Sequence, residues 1–91
     1  MKVYIIEREE LIEEELSCVS VEENIYYSRE KANQHILKIR EKLWANDRIV
    51  ISNEHYCKDN NYSVSYDKYH GDATCTHEDV TYRIHERTLE D

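Results

Sequence analysis

Ninety-one residues suffice for one domain and leave no room for a second, and a chain this short buries only a bit over ~60% of the surface its unfolded form exposes. Acids outnumber bases 20 to 12, a net charge of −8 with histidine neutral, which argues against ordinary phosphate-backbone binding driven by Lys and Arg. A single Gly excludes a glycine-rich phosphate loop, no apolar run approaches the ~18 residues of a membrane span, and the N-terminus lacks the basic-then-apolar layout of a signal peptide, so a cytoplasmic protein is expected.

The first predicted element is a strand over Lys2 to Glu7, where β-branched and aromatic residues dominate. Residues 7–15 hold six Glu and one Arg around Leu11 and Ile12. Two adjacent apolar residues make no helical face, so this stretch reads as an acidic connection with at most one helical turn. Leu16 to Tyr27 alternates, Leu16, Cys18 and Ser20 against Ser17, Val19 and Val21, before Ile25-Tyr26-Tyr27. It is predicted as a second strand, antiparallel to the first and interrupted near Glu22-Glu23. Ser28 is a suitable helix N-cap, and Glu30 lies where the helix dipole favours an acid. Ala32, Ile36, Ile39 and Leu43 then form one stripe, which predicts a helix over about 29–44. Lys38, Arg40 and Lys42 suit its negative pole, and Asn46 suits a left-handed C-terminal position. Leu37 and Trp44 lie on a second line and are expected to widen the buried face.

Beyond the helix the period returns to two. Arg48 to Cys57 puts Ile49 and Ile51 on one side, Lys58 to Asn61 is a polar turn, and Tyr62, Val64 and Tyr66 alternate with Ser63, Ser65 and Asp67. A turn at His70-Gly71-Asp72 precedes Cys75 to His77 and a final strand, Val80 to Leu89, with Val80, Tyr82 and Ile84 on one side. The predicted fold is α+β, in the order strand, strand, helix, strands. One helix packs on one face of a mainly antiparallel sheet of four to six strands. Val3, Ile5, Ile51, Val64 and Ile84 are the expected partners of the helical stripe.

Three segments carry a resemblance: Met-Lys-Val-Tyr-Ile-Ile at 1–6, Ile-Tyr-Tyr-Ser-Arg-Glu-Lys-Ala at 25–32 and Tyr-Arg-Ile-His-Glu at 82–86. Together they resemble small α+β proteins of Gram-positive bacteria and their phages, in which a strand pair leads into a Ser-x-Glu-Lys-Ala helix and a final strand. The likeness covers about half of the chain, and residues 46–79 have no counterpart in it. It implies fold and a phage or mobile-element origin, and no activity.

Charge is distributed unevenly. Residues 1–28 hold eight acids and two bases, residues 29–44 five bases and two acids, and residues 45–91 ten acids and five bases. Such runs are commonly solvated surface, each exposed pair contributing ~0–1 kcal/mol. The sharper reading is an acidic face that binds a basic partner, with carboxylates standing where nucleic acid is normally held. The eight Tyr admit two readings: they exceed what a small core can absorb and Tyr suits interfaces, or Tyr simply replaces the absent Phe as the aromatic of a half-exposed sheet. On the sharper reading the contact residues are Glu9, Glu10, Glu13, Glu14, Glu15, Glu22 and Glu23 with Tyr26, Tyr62 and Tyr66. The expected function is then non-enzymatic inhibition of a host nucleic-acid-handling protein, a CRISPR effector for example, by nucleic-acid mimicry.

Three Cys in a cytosolic chain do not make a disulfide framework, and Cys18 reads as a small buried residue. His55-Tyr-Cys57 and Cys75-Thr-His77 are mirror patterns. Residues two apart on a strand share a face, so if these segments pair, two thiolates and two imidazoles converge in a set suited to tetrahedral zinc, with His70 as a spare. A zinc-stabilised interaction module is accordingly an alternative function. A third is a protein that sequesters a small molecule such as a nucleotide in a site lined by Tyr and the helix bases. No catalytic motif is evident, and no cofactor other than this zinc is expected.

Overall fold

In the computed structural model the described residues are 1–13, 16–57, 61–71 and 74–89. The chain forms β1 (Lys2–Glu13), β2 (Leu16–Tyr26), α1 (Arg29–Ala45), β3 (Ile49–Cys57), β4 (Asn61–His70) and β5 (Thr74–Thr88). The strands make one sheet in the order β2-β1-β5-β4-β3, with every neighbouring pair antiparallel. The fold is α+β, with a single helix against a five-stranded antiparallel sheet.

The first and last strands pair at the centre, Lys2 opposite Thr88 and Leu11 opposite Asp79. Met1 and Leu89 close this ladder, the Leu89 amide donating to the Met1 carbonyl at 2.8 Å. The strands flanking the helix in sequence, β2 and β3, are the two edges, so α1 must cross the whole sheet. Four inter-strand gaps span ~19 Å. A helix of 17 residues reaches ~25 Å, enough for a diagonal crossing.

Local chemistry fixes the helix ends. The Ser28 hydroxyl accepts from the Lys31 amide at 3.2 Å, which is the predicted N-cap. Asn46 ends the helix, but in extended conformation (φ −86°, ψ 116°) rather than the left-handed one expected. Its side chain instead accepts from the Arg48 amide at 2.9 Å, an Asx turn that steers the chain into β3.

The core lies between the helical stripe and one side of the sheet. Ala32 and Ile36 are buried against Ile6, Tyr62, Val64, Tyr66, Val80, Tyr82 and Ile84, while Tyr4, Tyr26, Ile39, Leu43, Ile49 and Ile51 pack around them. Register makes this face continuous: Ile6 opposes Ile84, Tyr62 opposes Tyr82, and Val64 opposes Val80. The Tyr62 and Tyr82 rings stack at 6.3 Å.

Several expectations are corrected. Residues 7–13 continue β1; Glu7 and Glu9 pair across the sheet with His85 and Arg83, which makes those charges compatible with a strand. Cys75 to Thr88 is one unbroken strand. Ile6, rather than Ile5, supplies the β1 contact with the core, while Val3 is buried outside the main cluster. Cys18 is exposed, since it lies on an edge strand opposite Glu10. Leu37 and Trp44 do not widen the buried face; they are 40% and 56% exposed. Polar contacts hold Trp44 on the helix flank, where its indole N–H donates to Glu54 at 3.1 Å and the Arg40 guanidinium lies 5.7 Å from its ring centre. Among the described residues no helix is long and apolar enough to cross a membrane.

Candidate interaction face

Alternation sorts the sheet's side chains onto two faces. One carries the core and α1. The other carries no helix among the described residues, and its character changes from edge to edge, Val3 being buried on it and Val19, Val21 and Ile25 exposed.

On β2 this open face is apolar. Val19, Val21 and Ile25 are 52%, 59% and 54% exposed, opposite Glu9, Glu7 and Ile5 of β1. Leu11 of β1 is also exposed on this face. β2 has no Lys or Pro, two usual guards of an edge strand. Its irregularity lies between Val21 and Ile25, where β2 has two more residues than β1 and where Glu22 and Glu23 stand. Glu23 is exposed, Glu22 half-buried, and neither forms an ion pair among the described residues.

Between β1 and β5 the face is ionic. Arg83 donates to Glu9 at 2.7 Å and lies 3.6 Å from Glu7, while His85 Nε2 is 3.1 Å from Glu7. The hydrogen bond with His85, and beyond it the nearby charges of His85 and Arg83, holds the Glu7 carboxyl below its ordinary range.

Between β5 and β4 the face is a carpet of hydroxyls and acids. The Ser63 and Thr81 hydroxyls meet at 3.2 Å, and Ser65 donates to Asp79 at 2.5 Å. His77 sits between two carboxylates, Nδ1 2.8 Å from Asp67 and Nε2 3.2 Å from Asp79. The hydrogen bond to Asp67, joined by the charge of Asp79, raises its pKa. Ser65 gives its proton to Asp79, so the cluster is a hydrogen-bonded array of one hydroxyl, one imidazole and two carboxylates. Asn53 and His55 of β3 complete a shallow depression with Ser63, Ser65, Asp79 and Thr81.

The expected contact residues divide accordingly. Glu9 is paired with Arg83, and Glu10 with Arg8 at 3.1 Å. Burial opposes the Arg8 charge, yet hydrogen bonds to Tyr82 and Glu10 outweigh it and raise the pKa. Glu13 is placed by its backbone pairing with Leu16, and Glu14 and Glu15 lie outside the described residues. Tyr26 is half-buried, its ring 5.6 Å from that of His35. Tyr62 and Tyr66 are 0% and 7% exposed and therefore belong to the core. The correction follows from parity: Tyr62 and Tyr66 share the side of β4 that carries Val64.

The expected zinc set is not brought together. β4 lies between β3 and β5, so the assumed pairing of the two segments does not form. His55 stands opposite Ser63 and His77 opposite Asp67, a separation of ~13 Å along the strands and ~10 Å across them. Cys75 is exposed opposite Tyr69, and the Cys57 backbone pairs with Asn61. His70 Nε2 meets the Thr76 hydroxyl at 2.9 Å. Among the described residues no three His, Cys, Asp or Glu side chains form a metal-ligand group.

Two constellations escaped sequence reasoning. One is His77 with Asp67 and Asp79. The other is Glu54, whose carboxylate accepts from Arg40 (2.7 Å), Tyr62 (2.9 Å) and Trp44 (3.1 Å). In both, partners come from different elements, so no spacing in the chain announces them. The exposed stripe on β2 did have a signal, the alternation of Val19 and Val21. Comparison with protein-family models, curated proteins and solved structures finds no match to this chain.

Proposed function

We propose that the protein acts by binding, docking its open sheet face and β2 edge onto a basic surface of a nucleic-acid-handling protein of the host and excluding nucleic acid from it. A CRISPR effector belongs to this partner class. The observation that carries the reading is the exposed Val19-Val21-Ile25 stripe on an edge strand without Lys or Pro, beside Glu22 and Glu23, which no ion pair among the described residues neutralises. An apolar centre with a charged rim is the anatomy of a protein interface, and a stripe of this kind is otherwise an association hazard. The acid excess of residues 1–28 adds a field that speeds encounter with a cationic surface. The phage or mobile-element origin implied by the sequence resemblance fits such an inhibitor.

The test uses the partner that copurifies from the native host. Wild-type protein should displace nucleic acid from it. Glu22→Lys with Glu23→Lys should slow association several-fold at low salt and less at high salt. Val21→Asp should chiefly speed dissociation. A partner that retains nucleic acid in the complex, or rates unmoved by all three substitutions, would overturn the reading.

A further inference from the structure

Away from the open face, on the helix side of the sheet, the end of β2 and the adjoining flank of α1 enclose a groove of about 270 Å³ lined by Tyr26, Lys31, Gln34, His35 and Lys38. That volume is close to the ~300 Å³ at which small-ligand sites begin. Lys31, His35 and Lys38 follow at spacings of four and three, so they share one side of the helix. The opposite flank, with Arg40 and Trp44, is occupied by Glu54.

Three features distinguish this groove from an ordinary solvated flank. No acid lines it, in a chain where acids exceed bases by eight. Neither Lys31 nor Lys38 forms an ion pair among the described residues. An aromatic wall stands beside the two ammonium groups, the Tyr26 and His35 rings being 5.6 Å apart and inclined by 38°. Ammonium groups recognise phosphate as point charges, and an aromatic wall accepts the flat face of a base by stacking. Gln34 adds an amide able both to donate and to accept.

We propose that this groove binds a nucleoside phosphate, the phosphate held by Lys31 and Lys38 and the base lying against Tyr26 and His35. A free nucleotide and the phosphorylated end of a nucleic-acid strand offer the same chemistry. The site stands apart from the open face and does not depend on the docking function proposed above.

The experiment is a titration of the full chain at low salt, following backbone amide resonances, with AMP, adenosine, inorganic phosphate and a short 5′-phosphorylated oligonucleotide. AMP should give saturating shifts at Tyr26, Lys31, Gln34, His35 and Lys38, with adenosine and phosphate each at least roughly tenfold weaker. Lys31→Glu with Lys38→Glu should abolish these shifts and leave thermal melting unchanged, since both side chains are exposed. Tighter binding of the oligonucleotide than of AMP would identify the ligand as a strand end, and weaker binding as a free nucleotide. Absence of saturating shifts at these residues, phosphate binding as tightly as AMP, or shifts that survive the double reversal would overturn the proposal.

Discussion

Glu54 shows how much one side chain can organise in a small protein. It projects from edge strand β3 towards α1 and accepts hydrogen bonds from the helix (Arg40, Trp44) and from the core (Tyr62). The Arg40 hydrogen bonds, aided by those from Trp44 and Tyr62, hold its pKa at about 2. A depressed carboxylate stabilises fully above its unfolded value, ~4.3, and that contribution is lost as pH falls through about 2. Glu54→Gln should therefore destabilise at neutral pH by about 1–2 kcal/mol, and in acid the two proteins should converge, which denaturant melts at several pH values would check. His77 works in the opposite sense. Its folded pKa is raised, so its bonds to Asp67 and Asp79 contribute fully below the unfolded value of ~6.5 and fade as pH rises through the folded one. His77→Gln should lower the melting temperature more at about pH 5.5 than at about pH 8.5. An equal loss at both would show that the ring's charge is not what holds it.

At the scale of elements, the helix is fastened by its stripe and its first cap. Ile36 is fully buried and Ile39 only half. Ile36→Ala should accordingly cost about 2–4 kcal/mol and Ile39→Ala about half that. Ser28→Ala should cost ~1 kcal/mol through loss of the Lys31 amide's acceptor. Urea melts that ranked Ile39 above Ile36 would mean that α1 sits differently on the sheet. β2 behaves otherwise, because its Val19, Val21 and Ile25 face solvent. Val21→Thr should change stability by less than about 0.5 kcal/mol, while reducing any self-association of the exposed edge seen by light scattering.

At the scale of the whole molecule, the chain's first and last strands are neighbours at the sheet's centre. The N-terminal half therefore cannot complete its own pairing, since one of the two neighbours of β1 is β5. Such long-range pairing predicts folding in the slower, millisecond-to-second regime of β-rich domains. The same geometry predicts tolerance of circular permutation. Met1 and Leu89 are hydrogen-bonded neighbours, and Gly71 lies at an exposed turn where an added Cβ meets nothing within 4 Å. A permutant opened at Gly71, with Met1 and Leu89 joined by a short flexible linker, should keep a cooperative melt. Loss of cooperativity would indicate that the β4–β5 hairpin must form before β5 can receive β1.

The sequence by itself determined what is local. Ser28, the Ala32-Ile36-Ile39-Leu43 stripe and the strict alternations at Tyr62-Val64-Tyr66 and Val80-Tyr82-Ile84 announce their elements, because caps and side-chain periods act over a few residues. The strand-strand-helix-strands order follows from them. Parity in the uninterrupted Val3-Tyr4-Ile5-Ile6 run was not legible, nor was the continuation of β1 beyond Glu7, whose β5 partners run from Tyr82 opposite Arg8 to Asp79 opposite Leu11, at the far end of the chain. Tertiary structure alone decided the strand order, and with it the candidate sites. Placing β4 between β3 and β5 parts His55 from His77 and buries Tyr62 and Tyr66. Placing β2 at an edge exposes Val19, Val21 and Ile25, whose alternation in sequence is indistinguishable from that of a core strand. Pairing across a sheet joins residues by position in space, and one chain's periodicity carries no record of which strand will lie beside it.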